Sequence, residues 1–421
     1  MAKYLGNRPT AVPLTSADIQ DGVITAADLG ADSVDSSELV DGSVDLSHLS
    51  ASGTKSSSTY LRGDNTFATA GATLRPNAKP LIINGDMAVS QRATAATTIT
   101  HAAYNTIDRW SQNFTASTMV FTAERSTTVP SGQGFGYSWK IDCTTAEASL
   151  AATSRLMLYT RLEGQDCQLL KFGTASAETI TLSFWVRSNK TGTYQVNLWN
   201  STLSGYISST YAISSGDTWE KKVLTFVGDQ NTALANTNAS AIQPEFVLVG
   251  GGNYTGGTMV ANTTTTYPSY VTDTRAANQG VNLADSTSND FYITGVQMEV
   301  GEYTSSTIPP FQHESYGDNL ARCLRYYEGI EFLRKTSVCY HGTEGGSYWV
   351  CDADIVIKRA TPTTTFNISA LSGFTITAQG GSYYDTGNIA VTWLTGYPVG
   401  TADGLINSSH STGYINCDAE L

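Results

Sequence analysis

Aliphatic residues recur every fifth position near the start of the chain: Leu14, Ile19, Ile24, Leu29, Val34, Leu39, Val44 and Leu49. Nearly everything between them is polar. A period of ten overlies this beat. Thr15, Thr25, Asp35 and Asp45 each precede Asp18, Asp28, Glu38 and His48 by three residues. The first three pairs have the form of a capping box, in which a side-chain oxygen caps a first turn and a carboxylate reaches back to it. Asp21-Gly22 and Asp41-Gly42 supply turn chemistry between units. A segment of about forty residues with one thin apolar line cannot enclose that line alone. It needs copies of itself, which points to a repetitive shaft and to a fibrous assembly protein more than to an enzyme.

Composition supports that direction. Of 421 residues only 14% are charged, against about a quarter in ordinary domains. Ser, Thr, Asn and Gly take their place, which suits short strands joined by tight turns. Net charge is −13 without a Lys/Arg cluster, so nucleic acid and anionic membranes are poor partners. No apolar run approaches the roughly twenty residues of a membrane span, and Met1 to Pro13 lack the apolar core of a secretory signal. Synthesis in a cytoplasm is therefore expected. Six cysteines without a C-x-x-C spacing imply buried thiols, with a Cys339–Cys351 disulfide open but not indicated.

The texture changes after a head at 1–13, the repeat at 14–50 and a small-residue linker at 51–77. Ile180–Arg187, Tyr194–Trp199, Trp219–Val227, Pro244–Val249 and Asp290–Val300 alternate at period two. Many short strands with no long helix between them predict a jelly-roll-like β-sandwich over 78–316. Residues 250–289 form a long polar excursion of the functional or disordered kind. Leu320, Cys323, Leu324 and Tyr327 make an apolar stripe, so one helix is expected at 317–330, capped by Ser315 or Asp318. Strands return at 331–421 as a second β-sandwich. The fold class is all-β.

Chemical motifs are few. Arg62-Gly63-Asp64 reads as turn chemistry, with Gly63 making the turn and Asp64 capping it. The carboxylate pairs Glu163/Asp166 and Asp352/Asp354 have the residue types of glycoside hydrolysis or of a calcium site, but exposed acids on β-loops are commoner. The histidines show no metal spacing, and no nucleophile elbow or phosphate loop occurs. Neither a catalytic residue, a metal site nor a cofactor is expected. Trp185, Trp199 and Trp219 lie inside alternating strands and are assigned to the core.

Asn84-Gly-Asp-Met-Ala-Val-Ser-Gln-Arg92, then Ala103-Tyr-Asn-Thr-Ile-Asp-Arg-Trp110, Val296-Gln-Met-Glu-Val-Gly301, Pro310-Phe311 and Ala321-Arg-Cys-Leu-Arg-Tyr-Tyr-Glu328 occur in that order. The set resembles a module of tailed-bacteriophage tail fibres. The linker Ser57–Phe67 and the stretch Arg359–Leu421 are similar to other parts of such fibres. The resemblance implies a virion structural protein: a homotrimer whose N-terminus contacts other tail or head proteins, whose repeat is the trimerising line, and whose tip meets a host-surface glycan or receptor. A head-decorating fibre or cement protein and a glycan-cleaving tailspike remain alternatives. Aromatic rings stack on the C–H faces of sugars. Tyr254, Tyr267 and Tyr270 in the polar excursion, and Tyr340, His341, Trp349, Tyr383, Tyr384 and Trp393 in the last segment, are the glycan-binding candidates. A chain lacking residues 1–50 should retain a folded β-rich body, seen by circular dichroism, yet be missing from purified particles. Normal incorporation of that truncation would remove the attachment role.

Overall fold

The structure is a computed structural model. It describes residues 25, 27–28, 51–56, 59–69, 79–99 and 101–331, and after these the strands named below together with 358–359 and 419–420. Two compact units are present, Met1–Thr73 and Leu74–Leu421. The eight periodic aliphatic residues lie outside the described residues. Of the repeat, one predicted box is visible: the Thr25 amide and hydroxyl donate to Asp28 Oδ2 at 2.9 and 2.6 Å. Those bonds hold the Asp28 carboxyl below its ordinary range.

In the first unit β1 (Thr59–Leu61) pairs antiparallel with β2 (Phe67–Thr69). Asp64 Oδ1 accepts from the Thr66 amide and hydroxyl at 3.1 and 2.6 Å, so the Arg-Gly-Asp tripeptide serves its own turn. The left-handed residue is Asn65 (φ 57°), not Gly63, because asparagine tolerates that conformation through local bonding.

The second unit is built around a sandwich. Its strands are β3 (Thr97–Ile99), β4 (Trp110–Thr115), β5 (Val120–Ser126), β6 (Ser138–Thr145), β7 (Arg155–Thr160), β8 (Leu162–Glu163), β9 (Ile180–Ser188), β10 (Gly192–Asn200), β11 (Gly205–Ile213), β12 (Glu220–Phe226), β13 (Ser240–Gly250) and β14 (Asp290–Val300). Sheet one runs β11-β10-β13-β7-β4 with β8 also on β13; sheet two runs β12-β9-β14-β6-β5-β3. All these ladders are antiparallel. Pro244 sits inside β13, where a missing N–H is normally costly. It falls between the stretch paired with β8 and the stretch paired with β7, so no ladder bond to those strands is lost.

Alternation places Ile180, Leu182, Phe184 and Val186 of β9, and Tyr194, Val196 and Leu198 of β10, in one core. Aromatic pairs tie the sheets together: Trp110 with Trp139 at 6.1 Å, and Phe184 edge-on to Phe246 at 4.9 Å. Trp110 and Trp139 are fully buried, and their indole N–H groups donate to Asn84 O and Thr106 Oγ1 at 3.1 and 3.0 Å. The same alternation corrects the expectation for Trp185, Trp199 and Trp219, which are half-buried and not in the core. Each neighbour of Trp185 and Trp199 in sequence already points inward, so the tryptophans face out.

The segments carrying the fibre resemblance act as locks. Asn84 takes a left-handed backbone (φ 56°), donates to Val89 O and Asp108 O, each at 2.8 Å, and accepts from the Val89 amide. Beside it, β14 shifts register between Thr294 and Gln297. This bulge frees the Val296 amide to donate to Gly85 O at 2.9 Å. A Cβ on Gly85 would stand 2.1 Å from Val296 O, so only glycine permits that approach.

After the sandwich, helix α1 (Gly252–Thr255) lies in the excursion and α2 (Tyr316–Leu324) follows β14. Ser315 caps α2 by accepting from the Asp318 amide and donating to its carboxylate. The helix stops six residues short of the expected end at 330, because β15 (Tyr327–Glu331) begins. Tyr326, in the turn before β15, lies beneath Arg109, and Tyr327 at the start of the strand lies beneath Arg92, guanidinium to ring centroid 3.4 and 3.6 Å. The remaining strands are β16 (Cys339–Gly342), β17 (Tyr348–Cys351), β18 (Ala353–Asp354), β19 (Thr363–Asn367), β20 (Thr377–Ala378), β21 (Asn388–Ile389), β22 (Leu394–Thr395) and β23 (Tyr414–Asp418). They form sheets β15-β23-β19, β16-β17-β22-β20 and β18-β21.

The β23 end is fastened to the sandwich by charge. Arg109, 1% exposed, bonds Glu420, and Arg92 lies 3.1 Å from Asp418, 3.5 Å from Glu420 and 3.7 Å from Asp108. Gln91 bridges Asp108 to Tyr327 O. Lys358 pairs with Glu328 at 2.8 Å, and Arg325 with Glu163 at 2.9 Å. Removing one partner of a buried pair leaves an uncompensated charge and costs about 3–5 kcal/mol. Glu420→Gln should therefore lower the urea midpoint by a corresponding amount at unchanged slope; a loss under ~1 kcal/mol would show that Arg109 needs no counter-ion.

A second lock holds the loop after β6. Glu147 accepts from the amides of Ser117, Thr118, Met119 and Ala151 and from Ser154 Oγ. Burial opposes its charge, but these donors outweigh burial and hold the carboxyl at about 2 against an ordinary 4.5. A depressed carboxyl stabilises fully above the unfolded value and loses that contribution as pH falls through the folded one. The stability advantage of the native chain over Glu147→Gln should shrink as pH falls from 4.5 toward 2 in thermal melts. A constant gap would contradict the assignment.

Candidate functional site

The strongest cluster of ligand-type chemistry lies on the outer face of sheet one. Leu198 points into the core, so Gln195, Asn197 and Trp199 of β10 face outward. Register places Asn197 opposite Glu245 and Ser208, and Trp199 opposite Gln243 and Tyr206. Trp199 and Tyr206 have ring centroids 4.5 Å apart, and Tyr270 from the excursion completes the group at 5.4 Å from Trp199. Arg275 stands 5.1 Å over the Trp199 ring. Tyr270 is 37% exposed and Val271 beside it 54%, so the cluster opens to solvent there.

Beneath the rings is a closed polar lattice. Asn197 Nδ2 donates to Glu245 Oε1 at 2.9 Å and to Arg275 O at 2.9 Å. Ser208 Oγ donates to Asn197 Oδ1 at 2.7 Å, and Gln195 Nε2 to the same oxygen at 2.8 Å. Arg275 Nε donates to Glu245 Oε1 at 2.9 Å, and its Nη2 bonds Oε2. Arg161 Nε reaches Gln243 Oε1 at 2.8 Å on the side toward β7. Burial pushes the Glu245 carboxyl up, but Arg275 and Asn197 overcome it and hold it below the ordinary range. A carboxylate so tied is an anchor for Arg275 and a poor proton donor. The lattice groups are buried and bonded to one another, so the arrangement can fix the Trp199 and Tyr270 rings at the surface above the buried Tyr206.

The excursion is an ordered strap. Tyr254 packs with Met157, Val247 and Ala276 on the outer face of sheet one, and its hydroxyl bonds Arg155. Val260 O accepts from Ser208 on the edge strand β11, and Asn262 O accepts from Val227 after β12. The strap thereby occupies a free edge that would otherwise invite pairing. Tyr267 is 2% exposed, edge-on to Phe172, with its hydroxyl donated to Val227 O at 2.8 Å. Of the three strap tyrosines proposed from sequence, Tyr254 and Tyr267 are thus interior and Tyr270 alone reaches solvent.

The candidates Tyr383, Tyr384 and Trp393 lie outside the described residues. Tyr340, His341 and Trp349 fall on the hairpin of β16 and β17, where His341 is the cross-strand partner of Trp349. Of the carboxylate pairs, Glu163 is bonded by Arg325 at 3.1 and 2.9 Å, and Asp166 is exposed. Asp352 is outside the described residues. Among the described residues no three His, Cys, Asp or Glu side chains converge as metal ligands would, and no helix is long and apolar enough to cross a membrane. Trp199, Tyr206, Glu245 and Arg275 were missed from sequence. Parity from Leu198 would have found the first; the Glu245–Arg275 pairing leaves no local signal.

No family model matches the chain, and no curated protein does. Among solved structures it is similar to the TmCBM61 module in complex with β-1,4-galactotriose, at 9% identity and a TM-score of 0.27, over 53% of this chain and 99% of that one. A family 11 carbohydrate-binding module of a Clostridium thermocellum cellulosomal cellulase aligns at 9% identity and 0.24, over 51% and 99%. The enzymatically active domain of bacteriophage CBA120 tailspike protein 4 aligns at 12% and 0.24, over 46% of this chain but only 19% of that one.

Proposed function

We propose that this protein is a tailed-phage fibre that adheres to host-surface glycan, with Tyr270 and the half-buried Trp199 on the outer face of sheet one as a contact. The observation that carries the glycan reading is that ring cluster, in which Arg275 stands over Trp199, Tyr206 is buried beneath and Tyr270 reaches solvent. Sugars offer apolar C–H faces, on which exposed aromatic rings stack. The virion role rests on the fibre-like motifs and on the N-terminal repeat. The repeat would draw three copies together through Leu14 to Leu49, and trimerisation would turn weak single sites into useful avidity. On this reading the N-terminus meets other virion proteins. The chain acts by binding, since Glu245 and Glu163 are each held by an arginine.

Each ring of the cluster supplies on the order of 1 kcal/mol, and 1.4 kcal/mol is tenfold in affinity. Trp199→Ala with Tyr270→Ala should weaken binding of the purified protein to host surface polysaccharide by roughly tenfold or more, with an unchanged circular dichroism spectrum. Full binding by the folded double variant would sink the assignment of this face. Release of reducing ends from the polysaccharide would instead support the tailspike alternative.

A further inference from the structure

We infer that Cys339 and Cys351 are a thiol pair that closes to a disulfide across the β16–β17 hairpin when the protein meets an oxidising medium. Three of the six cysteines, Cys143, Cys167 and Cys323, are buried and free. Burial pushes the Cys143 and Cys167 thiols up to about 11 and about 12, which makes them poor nucleophiles. Cys417 on β23 pairs with Glu328 and Thr364, with no cysteine opposite. Cys339 and Cys351 differ: the antiparallel register sets them directly opposite each other. Opposed residues in such a ladder have Cα atoms about 4.5 or 5.5 Å apart according to pair type. Both values fall in the 4.4–6.8 Å range that a disulfide spans.

The step balances by thiol–disulfide exchange with a low-molecular-weight disulfide. One cysteine thiolate attacks that disulfide, forming a mixed disulfide and releasing one small thiol. The second cysteine thiolate attacks the protein sulfur of the mixed disulfide, closing the protein bond and releasing the other small thiol. Two protein thiols are oxidised and one small disulfide is reduced. A reducing cytosol would keep the pair open during synthesis, and the bond would form outside it. Its consequence is register. A one-residue slip of β16 against β17 would send every residue to the opposite face. A link at the pair Cys339–Cys351 forbids that slip for His341 and Trp349, two positions away on the same ladder.

The test uses the full chain, purified under reductant, exchanged into oxidised glutathione, and then acid-quenched. Thiols titrated in denaturant should fall from six to four, and unreduced peptide maps should join Cys339 to Cys351. Cys339→Ser should hold at five thiols through the same treatment. Retention of all six, a link to Cys417, or a dimer on a non-reducing gel would each overturn the inference. The wild-type map decides even if the variant fails to fold.

Discussion

Two buried guanidinium groups, Arg92 and Arg109, govern how the second unit holds together. A cation taken out of water costs several kcal/mol unless partners replace the lost hydration. Here the replacement comes from far along the chain: Glu420 and Asp418 beyond β23, Asp108 within the sandwich, and the faces of Tyr326 and Tyr327. Hydrophobic burial makes the sandwich compact. The charged cluster is what specifies which later segment must return to it, because a wrong neighbour would leave the arginines unpaired.

The strap shows a similar economy. One excursion covers an exposed strand edge with Val260 and Asn262, buries Tyr254 and Tyr267, and delivers Arg275 to Glu245. Tyr270 is held at the rim because both sides of it are fixed: its own amide bonds Ser204 O, and Arg275 is anchored beyond it. A ring cluster fixed by its surroundings loses little freedom when it meets a ligand, which favours affinity from a small contact.

Much of this architecture was legible in the sequence, and the misses have physical causes. Period-two alternation located β9, β12 and β14 nearly to the residue and the inner parts of β10 and β13, whose first residues it missed. The Ser315–Asp318 cap was readable because it is local. The end of α2 was not, since helical spacing from Leu320 to Tyr327 looks continuous until β23 claims Tyr327. Trp199 was assigned to the core for lying inside an alternating strand, although parity with Leu198 puts it on the opposite face. Tyr254 and Tyr267 were placed in a polar loop, and composition says nothing about a loop folding back on its own sheet. The motif residues Asn84, Gly85, Gln91, Arg92, Asp108 and Arg109 were recognisable as a set, yet their partners at 296, 327 and 420 could be known only in three dimensions.

The distance along the chain between Arg109 and Glu420, 311 residues, has a consequence for biosynthesis. At the usual ~5–20 residues per second of translation, the arginine emerges on the order of 15–60 s before its counter-ion. The sandwich can close only once β14 has emerged, and from then until Glu420 arrives Arg109 has no such counter-ion. A chain that ends before residue 420 therefore leaves Arg109 buried without its carboxylate partner.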